Sequence, residues 1–138
     1  MKPYTLIDHT ADIGLRIRGH NLRQVFARAG FGLFDLITDA DKIKTEKSVS
    51  FHLKAESRGD LFLVWLRELL FTFSAKKLVF KKFIFKKLTE KELHAIATGE
   101  RFDPKLHEQK MEIKAITYHQ FKLEKQKSGW IAEVILDI

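Results

Sequence analysis

The sequence predicts an α+β domain in which two main helices pack on one face of a mostly antiparallel β-sheet, giving two layers. The chain has 138 residues, of which 45% are hydrophobic, enough for one domain with a buried core. Two stretches carry apolar residues at helical spacing, and about seven short runs have the apolar pattern of strands. Residues 1–138 are therefore expected to form a single domain.

The first elements are a strand, a helix and a second strand. Residues 13–17 alternate between apolar side chains and Gly or Arg, the pattern of a half-buried strand. Asn21 followed by Gln24 is typical of a helix N-terminus, and the apolar positions of 22–36 lie on one helical face. Residues 49–55 alternate again and predict the next strand.

A second helix and most of the strands are predicted after Gly59. Asp60 is the expected N-cap of this helix; the spacing places Trp65 in the core and Arg67 outside. Gly30 and Gly32 in the first helix indicate close packing against a neighbour. The remaining predicted strands are 78–88, 93–98, 111–118, 121–124 and 130–138, with a polar connection over 99–108.

Composition excludes several functional classes. The chain has no cysteine, which rules out thiol catalysis, disulfides and thiolate metal sites. No run approaches the roughly 18 apolar residues of a membrane helix, so a soluble cytoplasmic protein is expected. The net charge of +7 is compatible with RNA, DNA or an acidic partner. The lysine pairs flank apolar runs, however, where strand edges commonly carry them against aggregation.

Carboxylates at two distant points of the chain predict a cation site. Asp12 and Asp137 each lie at the margin of an apolar strand, and the terminal carboxylate of Ile138 adds further oxygens. If the two strands are neighbours, these groups repel one another unless they are separated, protonated or bound to a cation. His9 is expected to orient the Asp12 loop. Taken singly, Asp12 is also explained as a turn residue and Asp137 as a solvated strand-end charge.

Two other polar groups are candidates for recognition. The segment 99–107, which includes Glu100, reads either as a surface loop with local ion pairs or as a recognition loop. Lys114, Tyr118 and His119 could bind an anion together, or could be a lysine with a buried stem beside a strand-end aromatic pair. Neither a nucleophile elbow nor a Gly-rich phosphate loop occurs in the sequence, and no catalytic set is assigned.

Several of these motifs resemble the archease family, and the likeness is collinear over essentially the whole chain. The matching segments are residues 9–14 (HTADIG), 65–70 (WLRELL), 99–100 (GE), 114–119 (KAITYH) and 134–138 (VILDI). The chain departs from the pattern at Gln24, where many relatives carry an acid, and at Arg67, where an Asn is common.

The resemblance implies a protein cofactor, not an enzyme. Archeases assist the RtcB-type RNA ligase of tRNA splicing and RNA repair by promoting its guanylylation and turnover. The family binds a divalent cation, most often calcium, with magnesium or manganese as alternatives, through residues that match Asp12, Asp137 and Ile138. The expected functional surface comprises His9, Glu100, Lys114, Tyr118 and His119, and any contact with RNA is expected to be indirect or weak.

Two other functions stay open from the residues alone. A stand-alone RNA-binding or chaperone-like module would use the lysine-rich strands. A metal-dependent hydrolase would use the two acids and a cation to activate water, but the sequence identifies no general base for it.

Overall fold

A computed structural model describes residues 2–9 and 12–138, without the side chains of Asp8 and His9. It contains two α-helices and seven strands. The helices are α1 (Leu22–Ile37) and α2 (Arg58–Lys76), and a short 3-10 helix covers Ala40–Lys42. The strands are β1 (Thr5–His9), β2 (Asp12–Gly19), β3 (Lys47–Lys54), β4 (Leu78–Leu88), β5 (Glu92–Arg101), β6 (Ala115–Gln126) and β7 (Gly129–Asp137).

The strands form two antiparallel sheets. The larger sheet has the order β1-β2-β7-β6 and the smaller one β3-β5-β4. The α+β class is confirmed, whereas the expected single sheet is replaced by two. The reason lies in α2, which buries the consecutive residues Leu61, Phe62 and Leu63 and so presents apolar side chains in several directions. One sheet cannot cover such a helix, and both helices accordingly contact strands of both sheets.

The start of α1 follows the prediction and the start of α2 does not. Asn21 Oδ1 accepts the backbone N–H of Gln24 at 2.9 Å, and Gln24 Oε1 accepts the N–H of His20 at 2.7 Å. In α2 the N-cap is Ser57, not Asp60: Ser57 Oγ accepts the N–H of Asp60 at 3.2 Å. Asp60 instead lies in the first turn, where its charge complements the helix dipole.

Trp65 lies at the centre of the core, as predicted. It is fully buried, and its Nε1 donates a hydrogen bond of 2.9 Å to the backbone oxygen of Phe26. Its ring contacts Phe51, Phe83 and Phe85 edge to face, with centroid distances of 5.1–5.7 Å. These contacts join α2 to α1 and to the smaller sheet, so the indole fixes the helix layer relative to that sheet.

Two glycines allow close approach between elements. A Cβ on Gly30 would lie 2.9 Å from the ring of Phe83, which confirms the close packing predicted for α1. Gly99 lies in β5, and a Cβ there would be only 1.8 Å from the backbone oxygen of Val79 in β4. The β4–β5 pairing therefore depends on the missing side chain at Gly99.

Three strand predictions need correction. β1 was not predicted, because its residues lack a clear alternation and Leu6 is 46% exposed. The predicted strands 111–118 and 121–124 are one strand, β6, which begins at Ala115 and contains a register shift between Thr117 and Lys122. Gln120 has a φ of 53° within this irregularity, a left-handed conformation that accompanies the break in regular pairing.

Most of the paired lysines lie where the strand-edge interpretation placed them, whereas Lys76 and its neighbour Lys77 lie at the end of α2. Lys81, Lys82, Lys86 and Lys87 belong to β4, an edge strand of the smaller sheet, and Lys122 and Lys125 to β6, an edge of the larger sheet. Such lysines oppose pairing of the free edge with another chain. Over the described residues, neither helix has the length and apolar character needed to cross a bilayer.

Candidate metal and partner surface

The pairing of β2 with β7 brings the two predicted carboxylates together. Asp12 lies directly opposite Asp137 in the register of this pair, so the first and last motifs meet at one end of the larger sheet. The two outer strands have residues at the same level: His9 of β1 pairs with Asp12, and Ala115 of β6 pairs with Asp137. Ile138 follows Asp137 at the same end and is 37% exposed.

This end of the sheet concentrates negative charge. Directly opposed residues of an antiparallel pair have Cβ atoms about 4.5–5.5 Å apart, and like charges at that separation are destabilising. Asp12 is half-buried with its Oδ1 shielded from solvent, whereas Asp137 is exposed. The backbone oxygen of Asp137 is already engaged, since it accepts the N–H of Lys114 at 2.7 Å.

The donor set fits a hard cation. Two aspartate carboxylates offer only oxygen ligands, the type that calcium and magnesium prefer. In the described part of the chain, no three His, Asp or Glu side chains are grouped as a metal centre. A cation here would thus depend on further oxygen ligands, such as water, in addition to Asp12 and Asp137. The side chain of His9, with Thr10 and Ala11, lies outside the described residues.

Glu100 lies inside the protein. The residue is only 8% exposed, and its Oε2 accepts the backbone N–H of Lys44 and contacts His107 Nε2, both at 2.8 Å. His107 is also buried, and its Nδ1 accepts the N–H of Asp103 at 2.8 Å. Because Nδ1 accepts, the proton of a neutral His107 ring must lie on Nε2, which then donates to Glu100.

These contacts explain the charge state of Glu100 and the order of segment 99–107. Burial alone would raise the pKa of Glu100, but the Lys44 N–H and the His107 ring stabilise the carboxylate and hold that pKa below its usual value. Gly99, Glu100 and Arg101 belong to β5, so the polar connection begins three residues later than the sequence predicts. The hydrogen bonds of the buried Glu100 carboxylate therefore connect this segment to the backbone at Lys44.

Tyr118 occupies the surface beside α2. The residue is 63% exposed, and its hydroxyl donates to Asp60 Oδ1 at 2.7 Å. The hydrogen bond to the Asp60 carboxylate raises the pKa of Tyr118, so the phenol stays neutral. Lys114 and His119 are exposed on the same segment. Among the described contacts none joins Lys114, Tyr118 and His119 to one another, so the structure does not assemble them as one anion site.

Arg67 connects this surface to the acidic end of the sheet. Its guanidinium donates to the backbone oxygen of Ile116 at 3.2–3.3 Å and lies 5.6 Å from the centre of the Tyr118 ring. Arg67 also lines a groove between α2 and the start of β6, together with Phe71 and Lys114. Phe71 is 62% exposed. Since Lys114 bonds the backbone of Asp137, the groove borders the carboxylate pair.

One buried carboxylate was not predicted from the sequence. Asp35 on α1 is 1% exposed and binds Tyr4 Oη at 2.6 Å, Lys2 Nζ at 3.1 Å and the N–H of Ala40 at 3.0 Å. Burial favours the neutral acid, but these donors outweigh it and hold the pKa of Asp35 below its ordinary value. An acid on the apolar face of a predicted helix was the available signal, and its role is to fix the N-terminal segment.

The fold and site together define a small α+β protein whose distinctive surface feature is a carboxylate pair at the end of its larger sheet. Comparison with known proteins identifies the group to which it belongs. The model described as "Archease protein family (MTH1598/TM1083)" matches residues 4–138. The chain belongs to the archease family, as its motifs predicted.

Individual archeases match this chain over nearly their full lengths. The chain is 38% identical to protein archease of Methanosarcina acetivorans over 141 residues, covering 99% of this chain and 97% of that protein. It is 39% identical to the Pyrococcus abyssi archease over 142 residues, covering all of both. The solution structure of Methanobacterium thermoautotrophicum protein 1598 superposes with a TM-score of 0.86 at 33% identity, covering 100% of both chains.

A more distant structure shows the same fold. The crystal structure of an archease and possible chaperone from Thermotoga maritima gives a TM-score of 0.70 at 24% identity, covering 96% of this chain and 94% of that one.

Proposed function

We propose that this archease is an accessory activator of an RtcB-type RNA ligase, promoting guanylylation and multiple turnover of that enzyme in tRNA splicing or RNA repair in the cytoplasm. Family membership supports the general role. The observation that supports the proposed cation site is the register of β2 and β7, in which Asp12 lies opposite Asp137. The protein itself supplies no catalytic residue in this proposal.

The cation of the proposed site is calcium, with magnesium and manganese as the alternatives to be distinguished. Asp12, Asp137 and the Ile138 carboxylate would hold it, since the β2–β7 register places the two aspartates opposite each other beside the last residue. A bound divalent ion would supply charge neutralisation to the carboxylates and a positive centre for phosphate oxygens. The chain's own contribution is to fix two acids on rigid paired strands.

The proposed partner surface lies next to the acids. The groove formed by Arg67, Phe71 and Lys114 borders Asp137, and Tyr118 continues it along α2. An exposed aromatic side chain beside charged groups is typical of protein interfaces. Glu100 would support this surface only indirectly, because its carboxylate is buried. His9 and His119 remain proposed members of the surface.

Multiple-turnover RNA joining by a cognate ligase tests the proposal. Wild-type protein, Asp12→Ala and Asp137→Ala are compared with Glu124→Ala, which removes an exposed acid from the neighbouring strand β6. Loss of stimulation in both aspartate variants, with stimulation retained by Glu124→Ala, is the expected result. Full stimulation by both folded aspartate variants would remove the carboxylates from the mechanism. Absence of stimulation by the wild-type protein would refute the activator role.

A further inference from the structure

Two adjoining grooves lie at the end of the larger sheet opposite the carboxylate pair. Arg18 and Arg28 line both of them. Lys2 and Arg16 complete the cationic side of one groove, and Trp130 lies in the wall of the other. We call this continuous surface the arginine groove. Arg18 is six residues along β2 from Asp12, which separates the two sites by about 20 Å.

The arginine groove has an excess of positive charge at its centre. Its walls contain no Asp or Glu among the described residues. Lys2 pairs with Asp35, and Arg16 Nε binds Glu133 Oε2 at 2.7 Å, so the outer cations are compensated. The ion pairs found in the described ranges include neither Arg18 nor Arg28. The two central guanidinium groups are therefore available to an anion.

One of these guanidinium groups is held in place. Arg28 Nη1 donates to the backbone oxygen of Arg18 at 2.7 Å, which attaches the α1 side chain to β2. A guanidinium has five N–H donors, so this contact leaves four to bind a ligand. Arg28 is half-buried while Arg18 is exposed, which gives the groove one fixed and one mobile cation. This arrangement is suited to phosphate oxygens, which Arg binds through paired N–H groups.

An aromatic side chain lies within the same surface. Trp130 is half-buried, and the Arg58 guanidinium lies 5.3 Å from the centre of its ring. Grooves that combine arginines along a backbone path with an aromatic platform are typical of single-stranded nucleic-acid binding. An acidic peptide would satisfy the charges but would not use the ring. The combination therefore favours a nucleic acid over an acidic protein.

We propose that the arginine groove binds single-stranded RNA, with Arg18 and Arg28 on backbone phosphates and Trp130 against a base. This site is distinct from the lysine-rich strands, whose cations lie at sheet edges and form no common groove with it. It does not depend on a cation at Asp12 and Asp137. RNA would be held at one end of the larger sheet while the opposite end carries the carboxylates.

Fluorescence anisotropy with a labelled oligouridylate of about 12 nucleotides tests the proposal at about 50 mM salt. The double variant Arg18→Ala/Arg28→Ala is expected to weaken binding at least about tenfold and to reduce the salt slope by about 1.4, or 0.7 per phosphate contact. The matched control Lys82→Ala/Lys86→Ala removes the same charge from β4 and is expected to bind as the wild type does. Thermal unfolding of each variant verifies folding.

A second pair of variants tests the arginine charge and the aromatic ring separately. Arg18→Gln changes an exposed side chain only, and Trp130→Leu removes the aromatic platform. Both should weaken RNA binding, and Trp130→Leu should leave the salt slope unchanged because no phosphate contact is lost. Three results would each overturn the proposal: no RNA binding by the wild type, equal losses in the arginine and lysine double variants, or displacement of RNA by an equally charged oligoglutamate at the same concentration as by unlabelled RNA.

Discussion

Replacing Asp137 by Asn should have opposite effects on stability with and without a divalent cation. In the folded protein Asp137 faces Asp12 across the β2–β7 pair. Two unit charges about 5 Å apart repel by about 0.8 kcal/mol in a water-like dielectric and about 3 kcal/mol at an effective dielectric of 20. Because Asp137 is exposed, the lower value applies. When a chelator removes divalent cations, the free energy of unfolding of Asp137→Asn should therefore be about 0.5–1 kcal/mol higher than that of the wild type.

Calcium should reverse this order. A ligand that binds only the folded state at 100 times its Kd adds about 2.7 kcal/mol to the free energy of unfolding. The wild type should gain an amount of this order in millimolar calcium, whereas Asp137→Asn loses one charged ligand and gains much less. Thermal unfolding measures both effects, and 1 kcal/mol corresponds to about 2–4 °C in the midpoint for a chain of this size.

Glu124→Gln is the matched control for this experiment. Glu124 is an exposed acid on β6, and its Oε2 lies 3.7 Å from Lys122 Nζ. The variant should respond to calcium as the wild type does. Two findings would contradict the reasoning: an Asp137→Asn protein that is less stable than the wild type in chelator, and a wild-type midpoint that calcium, magnesium and manganese all leave unchanged.

Three further predictions concern the interior. Gly99→Ala should destabilise by more than about 4 kcal/mol or prevent folding, since the new Cβ would lie 1.8 Å from Val79 O; circular dichroism on heating measures this. Asp35→Asn should cost about 1–3 kcal/mol at pH 7. Because the pKa of Asp35 is lowered in the folded protein, its stabilisation is present above the ordinary value of 3.8 and is lost as pH falls through the lowered folded-state pKa. The difference in urea unfolding between variant and wild type should therefore shrink steadily as pH falls below about 4. Glu100→Ala should cost about 2–4 kcal/mol in urea unfolding by leaving the buried His107 ring without its acceptor, and equal stability of variant and wild type would contradict this.

Local sequence signals predicted the helices and the core well. The Asn21 cap and the buried Trp65 both follow from spacing within a few residues, where local chemistry dominates. The Ser57 cap could have been found in the same way, because Ser57 and Asp60 have the spacing of a capping box. The interpretation of Asp60 as the cap overlooked a better acceptor one turn earlier.

Long-range pairing was less accessible to sequence reasoning. The polar residues His119 and Gln120 resemble a turn in the sequence, and only the pairing with β7 on both sides of them shows that the strand continues. The division into two sheets depends likewise on how the helices fill the space between them. The juxtaposition of Asp12 and Asp137 was predictable because both lie at strand ends of the first and last motifs. Glu100 was not, since its burial depends on the distant Lys44.

Strand β2 determines how the two proposed sites are related. Its buried residues Leu15 and Ile17 anchor it in the core, while its ends place Asp12 and Arg18 at opposite poles of the larger sheet. At about 20 Å, these charges lie beyond the Debye length of about 8 Å at physiological ionic strength, so direct electrostatic coupling between them is weak. A cation at Asp12 and RNA at Arg18 would therefore bind nearly independently, each held in position by the same rigid strand.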